Sequence, residues 1–188
     1  MNLEPLTWRQ TVSRVKADYS RFATVIERQQ GYRPCALVLH PSFVCVFLYR
    51  ISNHLYRRRH RYLARFFWHL NFMLTGADIS EPADLGEGLV VLSPAGTAVM
   101  AKSGCNLTLM PMAGLGSELG RREDIGAGPG IPVLGDGVLL EPHAGVLGPV
   151  HVGHRVRIAA VTCVTKDVPD GAIIAAPPAK IIRTFDQP

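Results

Sequence analysis

An apolar or small residue recurs at every sixth position in two long series of this chain, and a second such residue stands four places after each. Neither an α-helix nor a single strand has a period of six, whereas a chain wound into flat-faced coils buries two positions of each hexad in one continuous core. The main positions are Ile79, Leu85, Val91, Thr97, Ser103, Leu109 and Leu115, then Leu134, Leu140, Val146, Val152, Ile158 and Val164; the second positions include Ala83, Leu89, Ala95 and Ala101.

The two series share a period but not a phase. Leu115 and Leu134 are nineteen positions apart, one more than three hexads, and the interval holds the segment GRREDIGAGPGIP. Glycine and proline at this density interrupt regular structure, so we predict a loop that leaves the coil at about 120–133. Long excursions from a repeat often carry function, and a solvated surface loop is the alternative.

Composition agrees with a globular protein that buries a substantial core, since 47% of the 188 residues are hydrophobic and 19% are charged. The start, MNLEPLTWRQ, lacks the basic and apolar stretches of a secretory signal, and no uncharged apolar run is long enough to span a bilayer. The four cysteines lack CxxC spacing, which implies neither a disulfide framework nor a zinc site. We therefore predict a cytoplasmic protein with no metal and no membrane span.

The formal net charge of +5 raises the question of an anionic partner such as nucleic acid, lipid or a phosphorylated cofactor. The excess is local, because a single cluster at 57–61 contains four arginines and one histidine between aromatic segments. Such a cluster is compatible with a membrane surface, and a solvated junction between helices is the commoner structure. We predict no nucleic-acid partner.

The first third of the chain is predicted to be helical. Six residues, at 8, 12, 15, 19, 22 and 26, alternate steps of four and three and share one face of a helix, with Thr7 as the N-cap and Gly31 at its end. A second helix begins at the His40-Pro41 pair and runs to about Tyr56, and a third runs from about 62 to 74. The prediction is an α+β chain, with a helical cap at 1–76 and the coil with its tail at 77–188.

With these segments identified, the chain resembles the serine acetyltransferase family of left-handed parallel β-helix acyltransferases. The resemblance covers nearly the whole chain, from the His40-Pro41 pair through YRISNHLY, FMLTGADIS and the hexads to VTKDVPDGAIIAAPPAKII. It implies a helical domain before a triangular coil of three hexads per turn, a homotrimer or a dimer of trimers, and acetyl-CoA bound in the cleft between neighbouring coils.

The family's chemistry uses a histidine, oriented by an aspartate, as general base for the serine hydroxyl, because an alcohol is a poor nucleophile near neutral pH. Asp78 matches that aspartate. By the resemblance, Ser93 stands where the first family histidine is expected and Ile131 where a second is expected, and neither side chain can accept a proton near pH 7. His143, at an outward corner of the coil, is a weak candidate for a replacement base, and a solvated surface histidine is the alternative.

On the cofactor side the resemblance assigns Lys180 to the phosphates of CoA and Ala160 to a backbone contact with its arm. Pro142 departs from the family, because it replaces a small residue with a free amide and proline donates no hydrogen bond. We also expect Arg121 and Arg122, in the interrupting loop, to close over the phosphates.

The sequence is compatible with two functions. The first is an acyltransferase that moves an acetyl or other acyl group from a CoA-type donor to a small acceptor, by a mechanism or with an acceptor other than that of usual serine acetylation. The second is a catalytically silent homologue that retains the trimeric coil as a binding or assembly module, since a packed core persists whether or not the chemistry does.

Overall fold

The computed structural model describes residues 3–30, 34–118 and 120–177. Three α-helices come first, α1 (Trp8–Gln30), α2 (Pro41–Arg57) and α3 (Arg61–Thr75), with a 3₁₀ segment at Pro34–Leu39 before α2. Thr7 caps α1 as predicted, because its hydroxyl accepts the Gln10 N–H while the Gln10 amide oxygen accepts the Thr7 N–H at 2.8 Å. Gly76 ends α3 with a φ of 72°. Gly31 lies outside the described residues.

Fourteen short parallel strands follow within the described residues and form three sheets. Each coil contributes one strand to each sheet in turn, which makes a three-sided parallel β-helix. The strands are β1 (Asp78–Ile79), β2 (Asp84–Leu85), β3 (Val90–Val91), β4 (Ala98–Val99), β5 (Lys102–Ser103), β6 (Thr108–Leu109), β7 (Gly114–Gly116), β8 (Val133–Leu134), β9 (Leu139–Leu140), β10 (Gly145–Leu147), β11 (His151–Val152), β12 (Arg157–Ile158), β13 (Cys163–Val164) and β14 (Ile173–Ile174).

The hexad positions form the core of the coil, and the large ones from Ile79 to Ile158 are nearly inaccessible. One hexad differs from the prediction. Val99, eight positions after Val91, pairs with both Ile79 and Leu115, and Ser103 follows it by only four positions. Thr97 is therefore the second inward position and Ala95 is exposed. The prediction was wrong here because the corner after β3 is two residues longer and the next one two shorter, which a fixed period cannot represent.

The interrupting loop leaves the coil between β7 and β8, as predicted, while β10 pairs directly with β7 beneath it. Asp124 organises the loop, since its Oδ1 accepts the N–H groups of Gly126 and Gly128 at 2.8 and 2.9 Å. These two hydrogen bonds lower the pKa of the Asp124 carboxyl, because they favour its charged form.

The helices close the first end of the coil through buried polar groups. Arg50 of α2 is fully buried, pairs with Asp18 of α1 at 2.8 Å, and donates to the carbonyl oxygens of Leu85 and Gly86 at 2.6 Å. Asp18 also accepts the Leu89 N–H at 2.7 Å. One ion pair thus joins two helices to the first coil, and the attraction of Asp18 raises the pKa of Arg50 against the opposing effect of burial.

The helices end at Thr75 and the first strand begins at Asp78, so the predicted boundary between 76 and 77 falls between them. The division into two domains remains a prediction. In the part of the chain that the structure describes, no helix is both long enough and apolar enough to cross a membrane.

Candidate active site

At one corner of the coil the chain passes from the third sheet, which contains β3, β6, β9 and β12, to the first sheet, which contains β4, β7, β10 and β13. Four turns stack on one another at this corner. The His143 N–H donates to the Pro111 carbonyl and the Val161 N–H to the Pro142 carbonyl, both at 3.0 Å, so successive turns are held in register. Each turn contains one residue with a left-handed backbone: Ser93 (φ 58°), Met112 (58°), His143 (59°) and Val161 (59°). This corner carries three of the residues singled out in the sequence, Ser93, Pro142 and His143.

A cleft of about 540 Å³ lies between this corner and the helical domain. Ser93 and Pro142 line it from the coil, and His40 and Ser42 line it from the start of α2. The Ser93 N–H donates to the Ser42 hydroxyl at 3.3 Å, which joins the two walls. A largely apolar cleft with a few polar groups and this volume is typical of a site for a small molecule.

His40 is the residue of this cleft that sequence reasoning missed, because the His40-Pro41 pair was interpreted only as the start of a helix. It is the N-cap of α2, and its Nδ1 accepts the Ser42 N–H at 3.3 Å. A neutral imidazole that accepts through Nδ1 carries its proton on Nε2. The cap therefore favours the tautomer in which His40 donates a hydrogen bond rather than the one in which Nε2 accepts a proton. The available signal was histidine at an N-cap, where Ser, Thr, Asp and Asn are preferred.

Asp78 lies beside the chain that leaves the Ser93 corner, since its N–H donates to the Thr97 carbonyl at 2.9 Å. It begins β1 on the first sheet, and its Oδ1 accepts the Trp68 indole N–H of α3 at 2.9 Å. The described lining of the cleft contains Ser93 and not Asp78. The predicted aspartate thus holds α3 against the coil, and the structure does not bring it together with Ser93 in one cavity.

His143 is exposed at the corner, and the described lining of the cleft includes its neighbour Pro142 rather than its own side chain. Glu141, which precedes both, accepts from Arg157 Nε at 2.5 Å and from the Ala160 N–H at 3.0 Å. The Arg157 hydrogen bond, followed by that of Ala160, lowers the pKa of the Glu141 carboxyl. The backbone of Ala160 was expected to contact the cofactor arm, and its N–H is hydrogen-bonded within the coil.

The interrupting loop forms a second cavity of about 620 Å³ against the last coils. Arg121 lines it and donates from Nη1 to Glu118 Oε2 at 3.2 Å and to the Thr165 carbonyl at 3.3 Å. Three carboxylates, from residues 118, 123 and 167, line this cavity beside Arg121 and Lys166, a charge balance that does not favour an anion. Arg122 is exposed, and Ile131 is buried at the base of the loop with only 5% of its surface accessible.

Two further expectations concern ligands. Lys180, assigned by resemblance to the phosphates of CoA, lies outside the described residues. Among the residues that are described, no three His, Cys, Asp or Glu side chains are grouped so that they could hold a metal ion.

Comparisons with known proteins agree on one family. A serine acetyltransferase from Helicobacter pylori is 30% identical over 151 residues, which cover 78% of this chain and 84% of that protein. One from Synechococcus elongatus is 29% identical over 168 residues, and the match spans 86% of this chain and 66% of that longer protein. No family model matches the chain.

Solved structures give the same result. The serine acetyltransferase of Neisseria gonorrhoeae superposes with a TM-score of 0.78 at 27% identity over 93% of this chain and 68% of that one, and a structure of it in complex with serine superposes equally well. The predicted left-handed parallel β-helix behind a helical domain is thereby confirmed. Residues from the first helix to the last coils thus follow one known pattern, and the chain belongs to the serine acetyltransferase family.

Proposed function

We propose that this chain is an acyltransferase that moves an acetyl or related acyl group from a CoA thioester to a small acceptor whose nucleophile, an amine or a thiol, needs no strong general base. The observation that carries the proposal is the cleft shared by His40, Ser42 and Ser93, which offers hydrogen-bond donors but no imidazole at Ser93. A serine hydroxyl cannot take a proton from an alcohol near pH 7, so usual serine acetylation should be absent or very slow.

The proposed role of His40 follows from its tautomer. With Nδ1 committed to the Ser42 N–H, Nε2–H donates to the thioester oxygen as negative charge develops on it. The acceptor nitrogen or sulfur forms its bond to the acyl carbon, the carbon–sulfur bond to CoA breaks, and the proton lost by the acceptor goes to the departing thiolate. His40 touches the reacting oxygen in this scheme and would be a catalytic residue. His143 remains the weaker alternative, as a base that approaches from the corner.

The proposed donor, acetyl-CoA or another acyl-CoA, is a substrate of the reaction. At its anionic end we expect Lys180, by resemblance, and Arg122 of the interrupting loop, whereas Pro142 and the hydrogen-bonded Ala160 N–H offer no free backbone donor. Affinity should therefore depend on the phosphates and weaken as salt rises. The proposed assembly is a homotrimer or a dimer of trimers.

A matched pair of variants at His40 tests the mechanism. His40→Asn retains a side-chain acceptor at the N-cap but removes the ring, so it should fold with nearly wild-type stability, whereas His40→Ala also loses the cap and about 1 kcal/mol. Both should lower kcat for thiol release from acetyl-CoA by roughly 10²–10³-fold with a small amine acceptor. Full turnover by His40→Asn would refute the assigned role.

A third variant tests the position of the missing imidazole. Ser93→His should raise acetylation of L-serine above the wild-type rate, by up to roughly 10²–10⁴-fold, the contribution usual for a general base. Rapid serine acetylation by wild-type protein, at roughly 1–10³ per second, would show that the loss of the imidazole at Ser93 does not matter.

The second candidate function is a silent assembly module. The observation in its favour is that Ile131 is buried in loop packing and Ser93 carries only a hydroxyl, so both expected imidazole positions lack a base. Calorimetric titration with acetyl-CoA separates the two functions. Binding without turnover for any amine, thiol or alcohol acceptor supports a ligand-binding module, and no binding at all supports pure assembly. Sedimentation velocity at micromolar concentration then tests the trimer, which a monomer would refute.

A further inference from the structure

The outer face of α3 is apolar and exposed, which is unusual for a helix packed on a globular core. Residues 64, 71 and 75 of this helix are buried and face α2 and the coil. On the opposite side Tyr62 is 95% exposed, Phe66 60% and Met73 81%, and Leu63 and Leu74 extend the same surface. Positions 62, 66 and 73 follow helical spacing, so they lie on one line along the helix axis. The whole helix is about 22 Å long. We call these five residues the α3 stripe.

The α3 stripe lies in the most basic part of the chain. Residues 28–77 contain eight arginines and neither aspartate nor glutamate. Three of these arginines are neutralised by carboxylates elsewhere in the fold: Arg50 by Asp18, Arg57 by Asp84 and Arg65 by Glu81. Of the remaining five arginines, the structure describes the side chains of three, Arg58, Arg59 and Arg61.

Arg58, Arg59 and Arg61 are exposed at the turn between α2 and α3, next to Tyr62, and the structure describes no carboxylate partner for any of them. Arg61 instead lies over the Tyr56 ring, with its guanidinium carbon 6.0 Å from the ring centroid. Three positively charged guanidinium groups thus lie at one end of an exposed apolar surface.

We propose that the α3 stripe and its three arginines bind the surface of an anionic lipid bilayer, with α3 parallel to the membrane plane. An amphipathic helix that presents aromatic and aliphatic side chains beside arginines binds in this way, since the apolar side chains enter the acyl boundary while the cations meet anionic headgroups. Tyr62 suits the interface because its ring is apolar and its hydroxyl is polar. The absence of acidic residues from 28–77 removes the repulsion that anionic headgroups would otherwise meet.

The test is flotation of the full chain with vesicles of phosphatidylcholine alone or with phosphatidylglycerol added, at low and high salt. We expect binding to the anionic vesicles, weakened by salt, and much weaker binding to the neutral ones. Arg58→Gln/Arg59→Asn/Arg61→Gln should lower the partition coefficient by about 100-fold, from the usual contribution of each basic residue at such a surface. Asparagine is chosen at 59 because φ there is 63°.

A matched control removes three positive charges elsewhere. Lys16, Arg155 and Lys166 are exposed on α1 and on the coil, and Arg155 also has a positive φ of 53°. Lys16→Gln/Arg155→Asn/Lys166→Gln changes the net charge equally and should alter the partition by less than about threefold, since none of these residues belongs to α3 or to the turn before it. An equal loss in both triple variants would reduce the effect to net charge and overturn the proposal.

The apolar part has its own variant, Tyr62→Gln/Phe66→Gln/Met73→Gln, which should fold normally because all three side chains are exposed. It should abolish flotation with anionic vesicles while leaving the sedimentation coefficient unchanged. If wild-type protein does not float and this variant instead sediments as a smaller species, the stripe is a contact between copies of the chain and the membrane proposal is wrong. These measurements require no turnover, so they stand apart from the test of the acyltransferase function.

Discussion

Thr97 offers a sharp test of how the coil is packed. Its side chain is 1% exposed at the second inward position before β4, and in the described structure its Oγ1 is a buried polar atom without a hydrogen-bond partner. A buried hydroxyl left without a partner costs about 1–3 kcal/mol, and a methyl group in the same space gains about 0.8 kcal/mol by burial. Because valine has nearly the shape of threonine, Thr97→Val should stabilise the protein by about 1–2 kcal/mol.

The measurement is urea unfolding at one fixed protein concentration, since assembly would couple to stability. The expected gain corresponds to a midpoint higher by about 0.5–1 M for an m-value near 2 kcal/mol/M. Thermal unfolding should show a Tm higher by about 2–8 °C. The wild-type and variant proteins should have the same m-value, because the change alters one buried contact and not the surface exposed on unfolding.

Thr162 is the matched control, because it occupies the same inward position before β13 and is also buried. Its hydroxyl donates to the Ala160 carbonyl at 3.3 Å and accepts the Ala176 N–H at 2.9 Å. Thr162→Val should therefore destabilise the protein by about 0.5–1.5 kcal/mol, the usual value of a satisfied hydrogen bond. If both substitutions shift the midpoint in the same direction, the hydrogen-bond argument fails and packing alone decides the outcome.

Three more predictions follow from the same contacts. Asp18→Ala leaves the fully buried guanidinium without its carboxylate and should lower the free energy of unfolding by about 3–5 kcal/mol in urea titration; a loss below about 1 kcal/mol would contradict it. Gly104→Ala places a methyl group against the Asp136 carboxylate and should cost about 1–3 kcal/mol, whereas Gly114→Ala meets no atom within 4 Å and should cost less than about 0.5 kcal/mol. The lowered pKa of Glu141 means that its contribution to stability is complete above its unfolded pKa of about 4.5 and is lost as pH falls through the lower folded value. Glu141→Gln should therefore unfold at a lower urea concentration than wild type at pH 7 but not at pH 2, and a constant difference would refute the linkage.

Much of the fold could be predicted because the hexad period is a local property. Ile79, Leu85 and Val91 are buried at the six-residue step for which they were selected, and the helices begin and end within a residue or two of the expected positions. The prediction failed at Val99, because the length of a corner depends on how the chain turns and not on which residues it buries. The hexads after the interrupting loop begin in a new phase for the same reason, because the length of the loop is not tied to the six-residue period.

The candidate site was less accessible to this reasoning. Ser93 and Pro142 could be picked out along the chain, but His40 enters their cleft from a position 53 residues before Ser93, and no local pattern joins the two. Asp78 matched a family position, and in the structure its carboxylate accepts a hydrogen bond from the Trp68 indole N–H. Arg121 was expected to contact the phosphates of CoA, and in the structure it donates hydrogen bonds to the Glu118 carboxylate and to the Thr165 carbonyl.

By itself, the sequence determined the coil, the helical cap, the interrupting loop and the absence of histidine at 93 and 131, because each depends on residue types at fixed spacing. Only the tertiary structure decided which groups meet: the cleft between α2 and the corner, the commitment of His40 Nδ1 to a helix cap, and the exposure of the α3 stripe. Hydrogen bonds and burial depend on distances between segments far apart in the chain, and those distances are fixed only when the helices pack on the coil.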